Sequence, residues 1–205
     1  MIPELMPMQS DGSLVIKLGG SLQNCVPELV QVLLSSRIPL LIVPGGGLFA
    51  DTVRKSCIDD DTSHWMAIAA MDQFGWYISS QGIRVSGLLA KPDQPVVFLP
   101  YCCMRHHDPL PHTWNITSDT IAAWVADSLG MDLLVLKQVD GIMKDGSLIE
   151  TLETPLETDI VDPYFIPFIL EKKIQTSIIN GSRIDRVEKF LRGEAVCGTR
   201  IGTTF

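Results

Sequence analysis

Apolar residues follow two rhythms along this chain, and glycine marks where one gives way to the other. Leu14 to Leu18 and Pro39 to Val43 are short apolar runs, interrupted only by Lys17; the first ends at Gly19-Gly20 and the second at Pro44-Gly45-Gly46-Gly47. Runs of this length stopped by glycine predict strands buried on both faces. Pro27 to Ser36 spaces Leu29, Val32 and Leu33 helically, and Phe49 and Val53 predict a helix opening at the second glycine turn. Asp61 to Ser80 predicts the longest helix, with Trp65, Ile68, Ala69, Met71, Phe74 and Trp76 supplying apolar bulk.

The second half continues the alternation. Pro95 to Leu99 predicts a strand. Pro100 to Trp114 holds three prolines and three histidines without periodicity, which predicts a long functional loop. Thr117 to Leu129 predicts a helix, capped by Thr117 or Ser118 with Asp119 in its first turn. Asp132 to Leu136 predicts a strand followed by the turn Val139-Asp140-Gly141. Pro163 to Lys172 predicts a helix that Pro167 kinks or ends, Thr176 to Ile179 a strand closed by Asn180-Gly181, and Arg183 to Leu191 a helix; Gly198 to Thr204 closes the chain. Strands and helices alternating without repeat or linker predict one α/β domain over 1–205 with a mostly parallel central sheet.

Composition narrows the partners. With 205 residues and 46% hydrophobic content, the chain supports one sizeable core. The formal net charge of -8 disfavours nucleic acid, so an anionic ligand must be met by a local cluster of cations. The longest apolar stretch, Ile38 to Pro44, is too short for a membrane span, and MIPELMPMQSDGS lacks the basic start and apolar run of a secretion signal. Five cysteines without framework spacing suit a reducing compartment, so a cytoplasmic location is expected. The formal glycosylation match at Asn115-Ile116-Thr117 carries no weight there.

Three glycine turns follow apolar strands: Gly19-Gly20, Gly45-Gly46-Gly47 and Gly181. Glycine lets backbone N–H groups approach phosphate oxygens, and a following helix N-terminus favours the anion. One such turn often serves chain geometry alone. Three, with Lys17 just before the first, point to phosphate, although no Walker-type P-loop is present.

Val15-Ile16-Lys17-Leu18-Gly19-Gly20-Ser21 resembles the first motif of the amino acid kinase superfamily, and Gly45-Gly46-Gly47 its second glycine loop. Asn115-Ile116-Thr117-Ser118-Asp119 resembles its N-x-x-x-D motif, Val139-Asp140-Gly141-Ile142 its nucleotide-binding turn, and Asn180-Gly181 and Gly198-Thr199 its C-terminal signals. The likeness runs in order from 14 to 202. Within the superfamily, His64-Trp65-Met66-Ala67 and the segment from Leu99-Pro100-Tyr101 to Trp114 are similar to the small kinases of methanofuran biosynthesis. These convert [5-(aminomethyl)furan-3-yl]methyl phosphate to its diphosphate.

The resemblance implies a three-layer αβα sandwich of the carbamate kinase-like fold, with an acceptor side over roughly 14–130 and a nucleotide side over roughly 131–205. It implies ATP as donor, Mg²⁺ arriving with ATP, and a homo-oligomer. Lys17 and Asp119 are the expected catalytic pair, Lys17 neutralising the transferring group and Asp119 orienting Lys17 and a neighbouring cation rather than accepting a proton. Gly19, Gly20, Ser21, Lys137, Asp140, Gly141, Asn180 and Gly181 are expected on the phosphates and nucleotide. Gly45, Gly46, Gly47, His64, Asp72, Asp108, His112 and Asn115 are expected on the acceptor, with Asp72 or Asp108 pairing with a substrate ammonium.

The second cation is open among Lys137, Lys144, Lys172 and Arg183, with Lys137 preferred for its place before the Val139-Asp140-Gly141 turn. No resident metal is expected, since adjacent Cys102-Cys103 and His106-His107 pairs poorly match zinc spacing. Two alternatives stand beside the furan-phosphate kinase: a uridylate or isopentenyl phosphate type of kinase, and an ATP-dependent oxyanion storage protein on the same fold.

Overall fold

A computed structural model describes residues 12–202; the N-terminal residues read above for a secretion signal lie almost wholly outside the described residues. In chain order the elements are β1 (Leu14–Leu18), a 3₁₀ turn (Gly20–Cys25), α1 (Val26–Leu34), β2 (Leu40–Pro44), α2 (Gly47–Arg54), α3 (Asp60–Ser79), β3 (Arg84–Ser86), β4 (Val96–Phe98), α4 (Tyr101–His107) and α5 (Ser118–Leu129). There follow β5 (Asp132–Lys137), β6 (Met143–Lys144), β7 (Ser147–Leu148), β8 (Thr151–Leu152), α6 (Phe165–Lys172), β9 (Thr176–Asn180), α7 (Ile184–Leu191) and β10 (Thr199–Ile201).

Eight strands form one sheet in the order β3-β4-β2-β1-β5-β9-β10-β8, parallel throughout except where β10 runs against β9; β6 and β7 make a separate hairpin. β1 is central and buried along its whole length, hydrogen-bonded to β2 on one side and β5 on the other. Helices cover both faces, giving the expected three-layer αβα sandwich. On one face Val15, Leu133 and Val135 pack with Ile121, Ala122 and Val125 of α5 and with Phe165 and Ile169 of α6. On the other, Leu14, Ile16, Leu18 and Leu136 pack with Leu29 and Leu33 of α1 and Val187 of α7.

Side chains alternate faces along a strand. Lys17 therefore shares the face of Val15, and Lys137 the face of Leu133 and Val135. Both lysines point toward the layer that contains α5.

Local signals account for several element ends. Asp59 caps α3 by accepting from the Thr62 N–H at 2.8 Å, Thr117 caps α5, and Gly130 ends α5 in the left-handed region (φ 58°). The segment expected to be wholly a loop contains α4, seven residues long, and this corrects the sequence reading. Pro100 reads as a breaker but stands at the N-cap, where its missing N–H costs nothing. Pro167 likewise falls in the first turn of α6 and neither kinks nor ends it. The short strands β3, β6, β7 and β8 carry too few residues for a period-2 signal.

Candidate functional site

The C-terminal ends of the parallel strands form the working edge. The turns after β1 and β2 meet there so closely that glycine is a steric requirement. A Cβ built on Gly20 would lie 2.1 Å from Gly47 Cα, and one on Gly45 would lie 3.0 Å from the Gly20 nitrogen. The two glycine loops are thus packed backbone to backbone, with Gly47 at φ 54° opening α2. Ser21 offers its carbonyl to Gln138 Nε2 at 2.6 Å, which joins the β1 turn to the end of β5.

At the base of this edge lies a three-membered charge cluster. Lys17 Nζ is 2.8 Å from Asp119 Oδ1, and Lys137 Nζ donates to Asp119 Oδ2 at 2.7 Å. The Lys17 and Asp119 side chains are each about 5% exposed. Burial works against ionisation of Asp119, but the two ammonium groups outweigh it and hold its carboxyl below the usual range. Lys137 is pushed down to about 8, by burial first and by the charge of Lys17 second, with Asp119 opposing both. The carboxylate therefore works as a hinge pin between two cations.

Asp162, which the sequence reading passed over, secures that pin. Its Oδ2 accepts from the Thr117 N–H and hydroxyl (both 2.9 Å) and the Thr120 N–H (3.1 Å), while Oδ1 accepts from the Thr120 hydroxyl (2.5 Å) and the Tyr164 N–H (3.2 Å). One carboxylate thus ties the first turn of α5, where Asp119 sits, to the start of α6. Asp162→Asn replaces one acceptor oxygen with a donor facing donors. We expect a loss of about 1–3 kcal/mol in stability, read as a lower midpoint in urea. The sequence reading had little to mark Asp162 by, because four of its five donors, on Thr117 and Thr120, lie more than forty residues away along the chain.

A cavity of about 470 Å³ opens beside the cluster. It is lined by Lys17, Lys137 and Asp119, by Gly20 and Ser21, by Gly45 to Gly47, by α2 as far as Arg54, by His64 on α3, and by Thr113 to Asp119 apart from Asn115. Of the residues expected on the acceptor, Gly45, Gly46, Gly47 and His64 line it.

The other four do not, and each has a physical reason. Asp72 accepts from the Tyr101 N–H at 3.1 Å and so holds the start of α4. Asn115 is turned to solvent by the tight bend in which the Ile116 N–H donates to the Thr113 carbonyl. Asp108 ends α4 in the left-handed region (φ 43°) and, with His112, joins a cluster behind His64. In that cluster His112 places its ring nitrogens 2.6 Å from Asp61 Oδ1 and 2.8 Å from Asp108 Oδ1, and stacks on His64 with ring centroids 4.1 Å apart.

The hydrogen bonds of the two carboxylates raise the His112 pKa, while burial and the neighbouring His112 lower that of His64 to about 4. An imidazolium clasp beside a neutral imidazole follows. In a proton-detected NMR titration, His112 should titrate above the ordinary histidine range, and His64 should stay neutral down to about pH 4. His64, Asp108 and His112 bring ligand-type atoms within 4.8 Å of one another. A metal binds imidazole in its ring plane, however, and two rings stacked only 20° apart do not aim at one ion. His107 Nδ1 meets the Cys103 carbonyl at 2.9 Å, and Cys102 is exposed while Cys103 is buried in the core. Of the apolar residues expected to pack, Met71 is buried but Trp76 is 57% exposed.

Of the residues expected on the nucleotide, Gly20, Ser21 and Lys137 line the cavity, whereas Gly19, Asp140, Gly141, Asn180 and Gly181 do not; the last four lie at or after the ends of β5 and β9. Asp140 Oδ1 accepts from Asn180 Nδ2 (3.0 Å) and from an Arg186 guanidinium nitrogen (2.7 Å), and these bonds hold its carboxyl below the usual range. The Gly181 N–H donates to the Lys137 carbonyl at 2.7 Å, which locks the β9 turn to the end of β5. At Gly141 (φ 151°) a Cβ would lie 2.5 Å from Thr199 Oγ1, and Gly181 packs against Leu22 and Leu136. Gly19 sits beside Lys17 Nζ. Arg54, which lines the cavity, and Arg186, which pairs with Asp140, are cations that the sequence reading passed over. Both lie on helices, where charge is ordinary and gives no local sign of function. Lys144 lies on the hairpin strand β6, Lys172 at the end of α6, and Arg183 reaches Asp185 at 3.6 Å; none of the three lines the cavity.

Comparison with known proteins gives a consistent result. The amino acid kinase family profile matches residues 83–162. The chain is 28% identical to the [5-(aminomethyl)furan-3-yl]methyl phosphate kinase of Methanocaldococcus jannaschii, across 91% of this chain and 96% of that protein. It is also 28% identical to the acetylglutamate kinase of Allorhizobium ampelinum, over 78% of this chain but only 53% of that longer protein. Among solved structures it superimposes on the UMP kinase of Ureaplasma parvum (TM-score 0.72, 16% identity, 94% of this chain and 99% of that one). It also superimposes on the uridylate kinase of Archaeoglobus fulgidus (TM-score 0.67, 21% identity, 92% and 99%).

Proposed function

We propose that the chain, which matches the amino acid kinase family over residues 83–162, is a kinase of that family and transfers the γ-phosphoryl group of ATP to [5-(aminomethyl)furan-3-yl]methyl phosphate, yielding the diphosphate and ADP. Support for an acceptor that is already anionic, as a phosphate monoester is, rests on one observation: Asp119, the carboxylate at the heart of the cavity, is ion-paired with both Lys17 and Lys137. A carboxylate so paired is a poor proton acceptor, and neutral His64 is a weak base. A hydroxyl acceptor needs a base; a phosphate monoester is already anionic. The narrower acceptor rests on the relatedness to the Methanocaldococcus jannaschii kinase along nearly the full length of both chains.

In this reading an oxygen of the acceptor phosphate forms a bond to the γ-phosphorus. The bond from that phosphorus to the β–γ bridging oxygen breaks, and its electron pair leaves with ADP. The total charge on the reactants is unchanged and no proton need move. Lys17 and Lys137 neutralise the transferring group, Asp119 fixes both ammonium groups, and Gly19, Gly20, Gly45, Gly46 and Gly47 allow backbone to approach the phosphates. Ser21, Asp140, Gly141, Asn180 and Gly181 hold the nucleotide side, with Arg186 fixing Asp140. Asp119 and Asp140 are both engaged by cations, so Mg²⁺ fits as a partner of nucleotide phosphate oxygens and water. Bound there, Mg²⁺ offsets phosphate charge.

The deciding experiment incubates the protein with Mg·ATP and a panel of phosphomonoesters and reads products by ³¹P NMR. A new diphosphate from the furan phosphate, without turnover of uridylate or isopentenyl phosphate, is the expected result; uridylate turnover alone overturns the narrower assignment. The same reading carries a cytoplasmic location, which the five cysteines without framework spacing support. It also carries a homo-oligomeric state, supported by exposed Met66 and Trp76 on α3 and tested by light scattering.

A pH dependence follows from Lys137. With its pKa pushed down to about 8, the free protein loses that positive charge as pH rises through 8. Bound phosphates favour the ammonium form and move the transition upward. The profile of kcat/KM, which reports the free enzyme, should therefore fall above about pH 8, while kcat should hold to higher pH. Lys137→Met should remove this limb.

A further inference from the structure

We propose that Arg54 and Trp114 form an exchange pair that selects the acceptor: Arg54 leaves the Trp114 ring to grip the acceptor phosphate, and the uncovered ring then receives the planar group of the acceptor. The inference rests on the phosphate-acceptor reading above and assigns the acceptor subsite within it.

The argument begins with charge. Two phosphate groups must meet in the cavity, each bringing about two negative charges near neutral pH. Lys17, Asp119 and Lys137 together supply a net charge of only +1. His64 is neutral. Arg54 is the one other basic side chain lining the cavity among the described residues. Two further carboxylates, Asp51 and Asp60, line the cavity, but both are exposed and so screened by solvent; Asp51 lies 3.6 Å from Arg54, with both side chains more than half exposed.

Position comes next. Arg54 ends α2, whose first residue is Gly47 in the glycine turn. Seven residues at 1.5 Å each place its Cα about 10 Å from that turn, and side chains on a helix lean toward the N-terminus. The Cα–Cβ bond of Arg54 thus tilts back toward the glycine turn. It rests over Trp114, 4.8 Å from the ring centroid, and Trp114 reaches the same cavity from the bend before α5. The two residues are 60 positions apart, and each comes from a different wall of the cavity.

Relative strength decides the direction of exchange. A cation–π contact at an exposed site is weak, whereas a guanidinium on a phosphate makes two parallel charge-assisted hydrogen bonds. Phosphate therefore displaces the ring as the partner of Arg54. Trp114 is left with a bare face bordering the cavity, which suits a flat ring better than a short alkyl chain. The pair favours aromatic over aliphatic monoesters of equal charge.

The test measures steady-state constants for ATP and for the monoester that the protein phosphorylates, and calorimetric binding of benzyl phosphate and butyl phosphate. Arg54→Ala should raise acceptor KM by roughly tenfold to a hundredfold and leave ATP KM within about twofold, with Arg54→Lys intermediate. Wild-type protein should bind benzyl phosphate about tenfold more tightly than butyl phosphate, and Trp114→Leu should abolish that preference. Circular dichroism melts confirm that each variant folds. An acceptor KM untouched by Arg54→Ala, or raised equally for ATP, overturns the exchange pair while leaving the kinase reading intact. If the protein phosphorylates no monoester yet binds benzyl phosphate in an Arg54-dependent way, the kinase reading falls and the subsite stands. Arg54-independent binding without turnover sinks both.

Discussion

Lys17→Met should lower kcat by about three orders of magnitude while the protein remains folded. Lys17 is buried on the central strand, and its ammonium group reaches the cavity only because β1 ends there. Removing the charge leaves Asp119 paired with Lys137 at 2.7 Å, so no buried carboxylate is stranded. Stability should therefore change far less than turnover, since methionine fills nearly the same volume. The contrast is Asp119→Ala, which abolishes the pin and leaves two buried ammonium groups facing each other. Lys137 then loses its proton more readily, and both activity and stability should fall. Single-turnover assays with Mg·ATP, set beside urea melts, separate the two patterns. A Lys17→Met variant retaining full turnover would overturn the assigned mechanism.

Gly20→Ala is expected to have the largest structural effect of a single methyl group. Its Cβ would lie 2.1 Å from Gly47 Cα and 2.6 Å from Gly47 nitrogen, both backbone atoms in a turn already at positive φ. No side chain can swing aside, so the two glycine loops must part. We expect a loss of about 3 kcal/mol, the upper end of the usual cost of overpacking, and a thermal midpoint lower by about 6–12 °C. Turnover should also collapse, because the displaced turn carries the N-terminus of α2 and borders Lys17. Gly87→Ala is the control, since no atom lies within 4 Å of its Cβ position and its φ is ordinary. A Gly20→Ala protein with wild-type melting and turnover would show that the loops need not touch.

Several features were legible in the chain because they depend on neighbours in sequence. The apolar runs ending at Gly19-Gly20 and Gly45-Gly46-Gly47 identify β1 and β2, since a strand buried on both faces needs no polar alternation. Thr117 and Asp119 mark the start of α5, because a cap and a first-turn carboxylate are local interactions. Even the direction of Lys17 follows from its place two residues after Val15. What a seven-residue span could not show was α4, whose proline at the N-cap looks the same in sequence as one that breaks a helix.

The tertiary structure decided the rest, and the reason is distance along the chain. Lys17, Asp119 and Lys137 come from two strands and a helix more than a hundred residues apart at the extremes. The sequence preferred Lys137 for its place before the Val139-Asp140-Gly141 turn; the adjacency of β1 and β5, with α5 laid over them, is what pairs it, and not Lys144, Lys172 or Arg183, with Asp119. The same holds for Asp72 and Asp108. Both are carboxylates in segments that resemble an acceptor site, yet folding commits the first to the start of α4 and the second to His112. Trp114 was marked only as the end of a segment carrying the narrower resemblance, and Arg54 carried no local mark. Sequence thus determined the strands, the glycine turns and the kind of chemistry they serve, because these rest on short-range sterics and dipoles. Which charges meet which was left to the packing of strands and helices distant in sequence.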